Sequence, residues 1–179
     1  IFVVSAYGGI TNLLLEDKKT GAPGVYGYFA ADDPAWEEAL EAVRKRMMEF
    51  NESFVELGLD LQVANDFVNE RIDGIKICLR DLTRLRGFGH FRPADYLPPS
   101  REFLSALGEA HSAFNSVQIL QKHGVNAVFV DLSGWKDLES NSIENMVEKH
   151  LNHLDFSSCM PIVTGYVKFD DGIMRFYDR

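Results

Sequence analysis

The sequence predicts an α/β protein: a mostly parallel sheet sandwiched between helical layers, with a long helical hairpin inserted or packed on one side. Two observations carry this reading. Short apolar runs alternate with helical patterns in the order strand, helices, strand, helix, strand, which favours parallel pairing through helical crossovers. Between the first and second apolar runs, two long amphipathic stripes follow each other across a short link, the pattern of an antiparallel helical hairpin.

Each element follows from local chemistry. Residues 1–5 (IFVVS) are a continuous apolar run, expected for a strand buried on both faces. The chain starts at Ile1, already inside that run, so upstream residues are expected and the 179 residues are read as a piece of a longer protein. Gly8-Gly9 breaks the strand, and Thr11 and Asn12 are N-cap types for a helix through Leu13-Leu14-Leu15-Glu16. Gly21, Pro23, Gly24, Gly27 and Pro34 predict a loop over 18–34.

From 35 to 57, Trp36, Leu40, Val43, Met47, Phe50, Phe54 and Leu57 place one apolar stripe on a helix roughly 33 Å long at about 1.5 Å per residue. Gly58 interrupts it. Leu61, Ala64, Val68, Ile72, Ile75, Leu79 and Leu82 form the second stripe, so the hairpin spans about 35–86. Gly and Pro make residues 87–99 (GFGHFRPADYLPP) a loop; Gly87-Phe88-Gly89 lacks the third glycine of a dinucleotide fingerprint and follows a helix rather than a strand. A helix over 100–123 puts Phe103, Leu107, Ala110, Phe114 and Val117 on one face. Strands are expected at Asn126–Leu132 and 161–168, with a helix over 142–153 behind an Asn141/Ser142 cap. Asp171-Gly172 signals a closing hairpin.

Composition narrows the function. With 18 Lys plus Arg against 27 Asp plus Glu, the net charge of −9 disfavours nucleic acid as a partner. No apolar run approaches the ~20 residues that span a bilayer, so no membrane partner is expected. Two cysteines, Cys78 and Cys159, without CxxC spacing fit a reducing, cytoplasmic compartment and read as packing residues. His90, His111, His123, His150 and His153 include no HExxH pair. His150 and His153 lie three apart near a helix end, where imidazolium suits the dipole, and no metal site is assigned. Neither a GxSxG elbow nor a Walker A sequence occurs.

Two stretches carry candidate chemistry. Ser5-Ala6-Tyr7-Gly8-Gly9-Ile10-Thr11-Asn12 runs from strand through glycine turn to helix start. In open parallel sheets ligands bind at the carboxyl ends of strands, and glycines let backbone N–H groups come close. An ordinary capped turn has the same composition. On helix 100–123, Ser105, Gly108, Glu109, Ser112 and Ser116 lie opposite the apolar stripe. Solvated faces normally carry longer charged side chains, and a helical glycine costs about 1 kcal/mol relative to alanine, so something approaches closely there. Glu109 is either a carboxylate suited to an ammonium group or the wet edge of a close packing contact.

Val3-Val4-Ser5-Ala6-Tyr7-Gly8-Gly9-Ile10-Thr11-Asn12-Leu13-Leu14 resembles the Val-Val-Ser-Ala-x-x-Gly-x-Thr-Asn-x-Leu segment of aspartate kinases. Gly108-Glu109 falls where that family has Gly-Glu, Gly124–Asp131 (GVNAVFVD) looks like its next strand, and Val163-Thr164-Gly165-Tyr166-Val167 like the one after. Gly21-x-Pro23-Gly24-Val25-Tyr26 and the Tyr-Gly-Gly form of the first motif look most like the specialised aspartate kinases of bacterial ectoine clusters.

The resemblance implies a three-layer α/β/α amino-acid-kinase fold, truncated here, and MgATP-dependent phosphorylation of the L-aspartate β-carboxylate. It implies that Ser5 and Thr11 contact aspartate, that Gly8 and Gly9 let the backbone close in, and that Glu109 binds the substrate ammonium. Arg179 would pair with a substrate carboxylate. It also implies a homo-oligomer at full length. The family's Lys-x-Gly-Gly-Thr-Ser turn would lie before Ile1 and its nucleotide half after Arg179, so the chain alone is expected to be inactive and to hold no catalytic lysine. Asp178 stands where the family usually has Gly. A glutamate or N-acetylated amino-acid kinase is the alternative within the class, disfavoured because an acetylated amine needs no partner like Glu109. A non-catalytic helical dimerisation module is the alternative outside it.

Overall fold

The structure, a computed structural model, describes residues 1–137 and 142–167. Arg179, Asp178, Asn141 and the expected hairpin at Asp171-Gly172 lie outside the described residues.

Three short strands, β1 (Phe2–Val4), β2 (Ala127–Val130) and β3 (Met160–Thr164), form a parallel sheet in the order β1-β3-β2. Phe2 stands opposite Ile162 and Phe129 opposite the same residue from the other side. The expected parallel sheet is therefore present, with β3 central. β1 is not the buried strand that its apolar run predicts: Ile1, Phe2 and Val3 are 63%, 57% and 66% exposed. It is hydrogen-bonded to β3 alone, and only Val4 joins the apolar cluster beneath the sheet.

The helices are α1 (Ile10–Leu14), α2 (Val25–Ala30), α3 (Trp36–Ser53), α4 (Leu61–Leu85), α5 (Pro93–Lys122) and α6 (Ile143–Leu151). Helix α1 starts two residues before the expected caps. Gly9, at φ +86°, occupies its N-cap, and Thr11 and Asn12 lie inside it. A positive φ suits glycine there. Helix α2 falls within the predicted 18–34 loop: Val25 and Phe29, four apart, are fully buried and hold this single turn and a half against the core.

The hairpin is as predicted in outline. Trp36, Leu40, Val43 and Met47 of α3 and Ala64, Val68, Ile72, Ile75 and Leu79 of α4 are buried. A 3-10 turn over Val55–Leu57 separates the helices, and Leu57 is exposed. Asp60 caps α4 by accepting the Val63 N–H at 3.1 Å. Cross-pairs Arg80–Glu37, Lys76–Glu41 and Arg44–Asp73 run in antiparallel register along the outer side.

Helix α5 begins at Pro93, well inside the predicted loop, and takes Pro98 and Pro99 into its body. Pro93 sits where its missing N–H has no intrahelical partner anyway. The two later prolines forfeit bonds to the carbonyls of Ala94 and Asp95, both solvent-exposed residues. Every residue from Leu104 to Ala113 is buried. One side of α5 packs on the hairpin, and another covers the sheet through Ala113 and Val117 on Ala127 and Ile162. Helix α6 covers the opposite face, where Val147 and Leu151 meet Val130 and Val163. Ser142 caps α6 by accepting the Asn145 N–H at 3.2 Å.

Candidate functional site

All three strands point the same way, so the loops after Val4, Val130 and Thr164 gather at one carboxyl edge. Three side chains tie these loops together. Thr164 Oγ1, 1% exposed as a residue, accepts the Leu132 N–H at 3.0 Å and donates to Tyr166 O at 3.2 Å. Glu109 Oε2 accepts the Tyr166 N–H at 2.6 Å, with the Gly165 N–H as a further donor. Ser112 Oγ lies 2.7 Å from Ser5 O and 3.0 Å from Glu109 O.

The small polar face of α5 thus packs on the chain's own β1–α1 turn. A Cβ at Gly108 would sit 2.7 Å from Ala6 Cβ and 3.0 Å from Ile10 Cγ2, which accounts for a glycine in mid-helix. Ser105 and Ser116 bond back to carbonyls of Arg101 and Ser112, satisfying their buried hydroxyls within the helix. Glu109 is 8% exposed, and burial raises its carboxyl to about 7 despite the two backbone donors.

The Ser5 backbone carbonyl accepts the Ser112 hydroxyl three residues beyond Glu109 on α5, and Thr11 follows on α1. Gly8 and Gly9 are exposed, and a Cβ at either would meet nothing within 4 Å. Among the described residues neither of their N–H groups has a protein acceptor. They line a groove of about 660 Å³ with Asn12, Gly24, Glu38 and Arg46; Ser5, Thr11 and Glu109 are not among its walls. The turn therefore stands between that groove on the α3 side and the carboxylate on the α5 side. The turn thus offers open backbone donors to its groove, while the buried Glu109 carboxylate on the other side accepts a backbone N–H of the loop after β3.

Two buried groups escaped the sequence reading. Arg71 pairs with Asp131, at the exit of β2, at 2.6 Å and lies over the rings of Phe67 and Trp135. His111, fully buried, meets Asn51 Oδ1 at 2.7 Å, and desolvation pushes it down to about 3, so it is neutral. Only burial separates it from the other histidines, and no local pattern encodes that. Cys78 is exposed and Cys159 half-buried, so Cys78 is not the packing residue expected. His150 Nδ1 bonds back to Met146 O at 2.9 Å. Among the described residues no three His, Cys, Asp or Glu side chains group closely enough to hold a metal, and no helix is long and apolar enough to cross a membrane.

A parallel sheet with a glycine turn and a buried carboxylate at its carboxyl edge defines an α/β protein whose candidate site lies at the strand ends. The comparison with known proteins is more particular. The whole chain aligns at 48% identity over 181 positions with the aspartate kinase Ask_Ect of Stutzerimonas stutzeri (strain A1501), and spans 38% of that protein's length. The resemblance to aspartate kinases thus holds along the entire chain, which corresponds to a segment of such a protein. No protein-family model and no solved structure matches it.

Proposed function

We propose that this chain forms the aspartate-binding wall of an aspartate kinase of the ectoine type, built on a three-layer amino-acid-kinase fold. In the full-length protein the γ-phosphoryl group of ATP would pass to a β-carboxylate oxygen of L-aspartate, releasing ADP and leaving an acyl phosphate. Glu109 would hold the substrate ammonium, Ser5 and Thr11 its polar groups, and Gly8 and Gly9 would offer backbone donors. Arg179 keeps the role of carboxylate partner. The observation that carries this reading is the buried Glu109 carboxylate fastened at the sheet edge, on the helix that packs through Gly108 on the turn between β1 and α1.

ATP and Mg2+ belong to the same reading, but no lysine lines the groove at Gly8-Gly9. The isolated chain is inactive on this account, and the full-length protein is a cytoplasmic homo-oligomer that acts on neither nucleic acid nor membrane. A dimerisation module is disfavoured because both hairpin stripes are spent on the internal core.

The test is acyl hydroxamate formation from ATP and hydroxylamine by the full-length protein carrying this chain. Activity with L-aspartate, far above that with L-glutamate or N-acetyl-L-glutamate, is expected. Equal or better use of either alternative contradicts the proposal.

A further inference from the structure

Tyr7 stands directly before the two glycines, on the one turn that β1 presents to the site. Its ring is enclosed on three sides: stacked on Phe50 at 4.9 Å, tilted against Phe54 at 5.3 Å, and edge-on to His111 at 5.3 Å. Phe50 belongs to α3 and Phe54 is its C-cap, so the turn is clasped by the far end of the first hairpin helix. The Tyr7 carbonyl in turn accepts the Ile10 N–H at 3.1 Å and so starts α1.

Beneath the ring lies a polar network with no access to solvent. Asn51 Oδ1 takes hydrogen bonds from His111 Nε2 at 2.7 Å and Asn115 Nδ2 at 2.8 Å. Asn51, His111 and Asn115 are each 0% exposed. Asn51 Nδ2 continues to Asn65 Oδ1 on α4 at 2.9 Å, and the His111 ring carries the network to the edge-on contact with Tyr7. The network therefore joins both hairpin helices, α5 and the glycine turn. Among the described residues His111 Nδ1 has no hydrogen-bond partner. Apolar side chains of similar volume would avoid that desolvation penalty, so stability alone does not explain these amides and imidazole. A directional network does fix position, because each hydrogen bond constrains where its partner sits.

We propose that Tyr7 is a positioning residue: clamped by Phe50 and Phe54 and by the Asn51–His111–Asn115 network, it sets the Gly8-Gly9 turn, so that the hairpin controls the geometry of the substrate turn. Gly8 and Gly9 have no Cβ contacts of their own to hold them, so their placement depends on the neighbour that is anchored. Neither Asn51 nor Tyr7 is assigned any contact with substrate. The catalytic consequence rests on the aspartate-kinase reading above; the structural claim does not.

The test uses two substitutions in the full-length protein. Asn51→Leu keeps the core apolar and of similar volume while removing the hub of the network. Tyr7→Leu removes the clamped ring and keeps an apolar side chain. Hydrogen exchange at the Ile10 and Leu13 amides, which bond to Tyr7 O and Gly9 O, is measured first. Exchange there is expected to quicken about fivefold or more in Asn51→Leu, the scale of one ordinary hydrogen bond lost from a local opening equilibrium. Exchange in the sheet should stay unchanged. Aspartate KM should rise by about the same factor with ATP KM unchanged, and Tyr7→Leu, which loses the clamped ring, should show the same split.

Unchanged exchange at Ile10 and Leu13 in a folded Asn51→Leu protein overturns the proposal whatever the substrate is. A parallel rise in both KM values also overturns it, since that is the mark of general loosening. If Asn51→Leu does not fold, Tyr7→Leu decides on the same two readouts. Quickened exchange in a protein that never uses aspartate upholds the positioning claim and rejects the aspartate-kinase reading instead.

Discussion

Glu109 Oε2 accepts the Tyr166 backbone N–H at 2.6 Å, so a helix side chain pins the loop leaving the central strand. A Cβ at Gly165 would lie 2.9 Å from the same oxygen. The carboxylate is therefore a loop anchor, and burial raises it to about 7. Between pH about 4.5, where an exposed glutamate titrates, and about 7, the folded state keeps a proton that the unfolded state releases. Stability contributed by this group is full below that window and is lost as pH rises through it. Denaturant unfolding of the full-length protein should show this decline, and Glu109→Gln should remove it. Aspartate KM should fall as pH rises towards 7, because an ammonium needs the ionised form, and flatten above it.

His111 sets the opposite slope. Its imidazole is held neutral down to about pH 3, while an unfolded chain takes up a proton near 6.5. The unfolded state binds more protons in between, so stability falls as pH drops from about 6.5 towards 3. In His111→Gln, which keeps a polar group at the network and cannot titrate, acid unfolding should need a lower pH. The midpoint of an acid titration followed by circular dichroism measures the shift.

Gly108→Ala should destabilise the protein although alanine is the better helix former. The helix gain is about 1 kcal/mol, whereas forcing a methyl to 2.7 Å from Ala6 Cβ is an overpacking penalty of about 1–3 kcal/mol. The clash is with the substrate turn, so aspartate KM should rise as well. Thermal unfolding together with the KM measurement tests both halves.

Arg71→Met strands Asp131, whose side chain is 16% exposed and sits 2.6 Å from the guanidinium. Breaking a buried pair from one side costs about 3–5 kcal/mol, whereas removing both partners is far milder. Urea denaturation should therefore find Arg71→Met less stable than the Arg71→Met, Asp131→Leu double variant.

Much of the fold was legible because its signals are local. The stripes at Trp36–Met47 and Ala64–Leu79, the apolar runs at Ala127–Val130 and Met160–Thr164, and the Ser142 cap all report burial or capping within a few residues. The corrections arose where tertiary packing overrides composition. Val25 and Phe29 hold a helical turn among glycines, and α5 accommodates Pro98 and Pro99 because the carbonyls they strand face water. The lone Gly108 marked a close approach correctly, but the partner is the chain's own Ala6 and Ile10. Arg71 with Asp131, sixty positions apart, and His111 with Asn51 could not be paired from sequence, since nothing local links them.

The central claim is that Glu109 recognises the ammonium of aspartate. Its most direct test is the kinetics of Glu109→Ala in the full-length protein, with folding checked by circular dichroism. The account predicts an aspartate KM raised at least about tenfold, the effect of losing one charged hydrogen-bonding partner, with ATP KM unchanged. An aspartate KM equal to that of the unsubstituted protein would contradict it.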